Sequence, residues 1–71
     1  MKITLNGLPY EIDDEKNKMS FSVEDLLIKL KLEPSAVAVE LNGMIIKRQD
    51  YGATPVSDGD KVEIIRFMSG G

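Results

Sequence analysis

A chain of 71 residues with 9 basic and 12 acidic side chains, a net charge of -3 and neither Cys nor His has room for one domain and little chemistry of its own, because a drug-sized pocket of roughly 300 to 1,000 Å³ would hollow out so small a core. Disulfides, thiolate nucleophiles, sulfur ligands for metals and the usual proton shuttle near neutral pH are all removed, which argues against an autonomous enzyme. The basic residues are scattered from Lys2 to Arg66 and offer nucleic acid no stripe to follow, while no apolar run is long enough for a membrane span or a signal-peptide core, so the expected location is the cytoplasm.

Residues 2–12, KITLNGLPYEI, alternate apolar Ile3 and Leu5, then Leu8, Tyr10 and Ile12, around Asn6-Gly7. A two-residue hairpin turn needs positive φ at both central positions, and Asn-Gly adopts it at least cost, so the pattern predicts a hairpin. Pro9 is expected on an unpaired side of its strand. Residues 13–20, DDEKNKMS, are charged and without period, the signature of an exposed loop. Asp13, Asp14 and Glu15 lack the alternating oxygen ligands and central glycine of a calcium loop, so no metal site is assigned to them.

Ser22 precedes Val23, Leu26, Leu27 and Leu30, the i, i+3, i+4 and i+7 positions of one helical face, and a helix is predicted over about 23–31. Ser22 is placed to accept a hydrogen bond from an orphan first-turn amide, Glu24 and Asp25 suit the positive end, and Lys29 and Lys31 the negative end. Pro34 ends the pattern. With one helix available, its leucine stripe is needed to cover a sheet.

Residues 36–47, AVAVELNGMIIK, predict a second hairpin about Asn42-Gly43. An irregular stretch, 48–60, closes with a tight turn at Asp58-Gly59, and KVEIIRF, 61–67, reads as the last strand. Asp58 and Asp60 are assigned to that turn rather than to catalysis. Two hairpins, one helix and a final strand fit most economically as an α+β fold: a mixed sheet of about five strands covered on one face, the first and last strands adjacent and parallel. This is the β-grasp, ubiquitin-like arrangement, with residues 1–71 as one domain ending in a flexible Gly-Gly tail.

Met68-Ser69-Gly70-Gly71 follow that strand directly. Glycine lacks Cβ, so such a tail can enter a narrow channel and bring an α-carboxylate to another protein's active site. On the last strand Val62 and Ile64 alternate with Ile65 and Phe67. One pair covers the core, and an outward Ile65 and Phe67 would form an apolar docking patch beside the tail, with the core's edge as the alternative place for Phe67.

Val37-Ala38-Val39-Glu40-Leu41-Asn42-Gly43, Lys47-Arg48, Asp58-Gly59-Asp60-Lys61-Val62-Glu63-Ile64 and Gly70-Gly71 together resemble the ThiS family, the sulfur carriers of thiamine biosynthesis. The resemblance covers the whole length and is sharpest from residue 36. It implies a cycle at Gly71. An E1-like adenylating enzyme spends ATP to convert the Gly71 carboxylate to an acyl-adenylate, sulfur derived from cysteine by a donor system replaces AMP to give a thiocarboxylate, and thiazole synthase takes the sulfur. Gly70, Ser69 and Met68 would be the tail that partners grip, and Ile65 and Phe67 the docking patch. The chain would be a monomer when free, with no permanently bound cofactor or metal. Loop 13–20 and Met68-Ser69 depart from the family's usual pattern. The small subunit of molybdopterin synthase and a ubiquitin-like modifier or binding module are the alternatives, separated by co-purifying partner and by isopeptide conjugates that survive reducing agents.

Overall fold

The computed structural model describes residues 1–13 and 20–67. Two Asn-Gly turns organise it. Asn6 and Gly7 have φ of 50° and 84°, Asn42 and Gly43 of 52° and 86°, the left-handed pair a twist-matched two-residue hairpin demands. The first turn joins β1 (Lys2–Leu5) to β2 (Leu8–Glu11), the second β3 (Val37–Leu41) to β4 (Met44–Ile46). With β5 (Lys61–Arg66) they form one mixed sheet in the order β2-β1-β5-β3-β4. β1 and β5 pair in parallel and every other pair is antiparallel, as the β-grasp expectation requires. Pro9 lies on the edge strand opposite Thr4, whose N–H donates the other way, to Asp60 O at 2.9 Å. The missing proline N–H therefore costs no ladder bond.

The one α-helix among the described residues, α1 (Val23–Lys29), covers one sheet face. Ser22 Oγ accepts from Asp25 N at 3.0 Å, and Asp25 Oδ2 accepts from Ser22 N at 2.9 Å. The cap is thus reciprocal, where the sequence suggested only its serine half. Val23, Leu26 and Leu27 are fully buried against Ile3, Val39, Val62 and Ile64.

The helix is two residues shorter than its apolar period predicts. Lys31 turns into the left-handed region at φ 61°. Its N–H donates to Ile28 O at 3.0 Å, and Leu32 N–H reaches back to Leu27 O at 2.9 Å. This is a Schellman ending in which Lys31 holds the place usually given to glycine, with Leu32 packed against the core. The leucine spacing ran past the true end because Leu30 and Leu32 still pack on the core.

Two further differences come from the stretch 48–60. It contains a 3-10 helix, Arg48–Ala53, too short to show a period, and its Tyr51 is buried at 4% exposure, a core residue that the surrounding polar sequence concealed. At the other end Leu8, one of the alternating apolar residues of the first hairpin, is 69% exposed. A seven-residue helix spans only about 10 Å and does not reach over the hairpin tip. Among the described residues no helix is long and apolar enough to cross a membrane.

Candidate functional site

β5 is where the candidate residues lie, and both hairpin turns fasten it. Asn6 Oδ1 accepts from Ile64 N at 2.8 Å, and Asn6 Nδ2 donates to Ile64 O at 3.2 Å, so its amide imitates one more residue of a neighbouring strand. On the opposite edge, Asn42 Oδ1 accepts from Lys61 N at 2.9 Å, and Asn42 Nδ2 donates to Asp60 Oδ1 at 3.1 Å. The sequence marks both asparagines as turn residues and gives no hint of this second duty. The signal that could have found it is that both tolerate left-handed φ and also carry a side-chain amide, which glycine does not.

The two duties can be separated. Asn6→Gly keeps the turn geometry and removes two side-chain hydrogen bonds, each contributing about 0.5–1.5 kcal/mol. Urea unfolding should therefore show a loss of about 1–3 kcal/mol; a mere turn residue would show little or none.

The acidic turn ahead of β5 is structural, as read from sequence. Asp58 Oδ1 accepts from Lys2 N at 2.8 Å, Asp60 Oδ2 accepts from Ser57 N at 2.8 Å, and Gly59, at φ 88°, donates its N–H to Lys2 O at 2.8 Å. These contacts fix where β5 starts relative to β1. Its far end is fixed by Phe67 N–H, which donates to Ala36 O at 2.9 Å.

Along β5 Val62 and Ile64 point into the core, and Glu63 and Ile65 lie on the open face. Ile65 is 54% exposed and Phe67 59%, so Phe67 is not a core residue. Phe67 borders a shallow groove of about 230 Å³ shared with Val37, Ala38, Ile46, Arg48 and Tyr51, smaller than the roughly 300 to 1,000 Å³ of a usual small-molecule pocket. An exposed aromatic at the rim of such a groove suits contact with another macromolecule. Met68, Ser69, Gly70 and Gly71, and the acidic Asp14 and Glu15, lie outside the described residues; Asp13 is exposed.

The comparisons with known proteins agree with one another. The sequence profile of the ThiS family matches residues 3–71. The sulfur carrier protein ThiS of Bacillus subtilis is 36% identical over 69 residues, covering 97% of this chain and 98% of that protein. The crystal structure of the thiamine biosynthesis protein ThiS of Geobacter metallireducens superposes with a TM-score of 0.80 at 43% identity, each chain covered completely. A thiazole synthase of Magnetococcus marinus is 37% identical over 71 residues, and there the chain spans 20% of the relative's length.

Proposed function

The chain belongs to the ThiS family, and from that membership we propose that it carries sulfur for thiamine biosynthesis, as a protein substrate and not as a catalyst. The observation that carries this reading is the end-to-end correspondence with the Bacillus carrier, with the family match running through Gly70-Gly71.

The chemistry follows from the terminal carboxylate. At neutral pH a carboxylate with a reference pKa of about 3.3–3.7 is ionised and a poor acceptor for a nucleophile. Its oxygen attacks the α-phosphorus of ATP, held by an adenylating partner, and pyrophosphate leaves. Sulfur originating from cysteine and delivered at the oxidation level of sulfide then attacks the carbonyl carbon of the mixed anhydride, the bond to the AMP oxygen breaks, and a thiocarboxylate remains on Gly71 for thiazole synthase to use. No side chain of the carrier has to move a proton. The work of the domain is to offer an address and a handle: β5, held on both edges, leads to Phe67, and the reactive residue follows four positions later. We place this cycle in the cytoplasm, with the free carrier a monomer.

Intact-mass analysis of the chain incubated with its adenylating enzyme, ATP and a sulfur source tests the reading. The expected product has one oxygen exchanged for sulfur at the C-terminus. Unchanged mass with a competent enzyme would refute it.

Docking has its own test. Phe67→Ala should weaken binding to the adenylating enzyme about tenfold or more, since exposed aromatic anchors carry much of an interface's energy. The melting temperature should change little, because the ring is 59% exposed. Binding at wild-type strength would remove Phe67 from the interface.

A further inference from the structure

The sheet face opposite α1 contains an arrangement that works against the free protein. Glu40 of β3 lies directly across from Glu63 of β5. Asn42 N–H donates to Lys61 O two residues along, so by alternation Glu40 and Glu63 form a hydrogen-bonded pair with α-carbons about 5.5 Å apart. Like charges directly opposite one another destabilise a sheet. Lys61 stands on the same face two residues before Glu63, yet neither carboxylate forms an ion pair with it or with any other described residue.

The surroundings are apolar. Ile45 of β4 sits across from Glu40 on the other side and is 75% exposed. Ile65, the residue two beyond Glu63, pairs with Ala38 and is 54% exposed. Two unpaired carboxylates thus stand between exposed isoleucines.

We propose that this face docks on thiazole synthase, against a surface where an arginine stands among apolar side chains, and that the Glu40–Glu63 pair receives its guanidinium. The proposal rests on the carrier reading, which supplies a partner protein; the relative in which a homologous segment is part of a thiazole synthase chain makes that enzyme the occupant. A guanidinium is planar, permanently charged and carries five donors, so one group can bond both carboxylates. A lysine would act as a point charge. The isoleucines lie against the arginine's aliphatic stem and its apolar neighbours. Without a cation, covering the two carboxylates would cost their hydration with no return. The repulsion held in the free carrier is released in the complex, which makes the pair a selector for partners with that pattern.

The test is the double variant Glu40→Gln, Glu63→Gln in the full chain. Its melting temperature should equal or exceed that of wild type. Its affinity for thiazole synthase of the same organism, measured by calorimetry at low and high salt, should fall tenfold or more at low salt, and the salt dependence of binding should flatten. Glu63→Asp, which keeps the charge, should retain most of the affinity. Unchanged affinity and salt slope in the double variant would overturn the inference alone, as would a melting temperature well below wild type, or a loss seen only with the adenylating enzyme. Failure of the wild-type chain to bind either enzyme would instead overturn the carrier reading, and the inference with it.

Discussion

Deleting Gly71 should abolish adenylation of the chain and leave its melting curve unchanged. The deletion withdraws the carboxylate by one residue, about 3.3–3.6 Å of extended backbone. Reacting atoms must approach to about 3–3.5 Å in good alignment, and a misplacement of 1 Å already costs about a hundredfold. Pyrophosphate exchange with the cognate adenylating enzyme should therefore fall by at least about that factor. Gly70→Val should fail for a different reason: a β-branched side chain restricts the backbone and widens the tail just where a narrow channel is expected. Both changes lie beyond Phe67 and outside the hydrophobic core, so stability should be indifferent to them. Normal adenylation of the deletion variant would show that the glycines are an ordinary chain end.

Leu27→Asp should unfold the domain. Leu27 is fully buried at the centre of the α-helix's apolar face, and an unpaired carboxylate there costs more than about 4 kcal/mol. A domain of this length has a total stability of about 4–11 kcal/mol at the usual 0.05–0.15 kcal/mol per residue. The Schellman ending adds to the loss, since Leu27 also supplies the carbonyl for Leu32 N–H. Lys29→Asp, on the exposed side, only replaces a favourable charge at the negative helix end by an unfavourable one, about 0.3–1 kcal/mol for each of the two effects. Far-ultraviolet circular dichroism and thermal melts separate the two, and a wild-type melt for Leu27→Asp would disprove the helix register.

What was legible in the sequence was whatever rests on period and local turn chemistry. The two Asn-Gly turns, the capped helix start and the alternation along β5 each depend on residues a few positions apart, and each stands where the pattern put it. The adjacency and parallel pairing of the first and last strands also followed, because two hairpins, one helix and a closing strand leave few ways to cover a single apolar face. What escaped depends on partners distant in sequence. Nothing near Asn6 signals that its amide will meet Ile64, and a lone Tyr51 in a polar stretch carries no period. Lys31 was misplaced because leucine spacing reports which residues face the core and not the sign of φ that ends the helix. For the candidate site, the exposure of Phe67 had to wait for the fold, since alternation on a strand gives two faces without saying where cover ends. The apposition of Glu40 and Glu63 needed the register of β3 on β5, which neither segment encodes by itself.

The two asparagine clamps on β5 also bear on the order in which the chain folds. The bonds from Asn6 to Ile64 join residues 58 positions apart, and Lys2 reaches Asp58 across 56, whereas each hairpin closes over a two-residue turn. Short loops close early, and contacts across most of the chain form only after the larger entropy of closure has been overcome. β5 is therefore the strand to dock last, into a slot whose two walls, β1 with its turn and β3 with its turn, already stand. The segment that leads to Gly71 is consequently placed only when the rest of the domain is complete. On the carrier reading, an adenylating enzyme that engages Phe67 and the chain end together would spend ATP on finished carriers and pass over chains still folding, a form of quality control that needs no separate inspector.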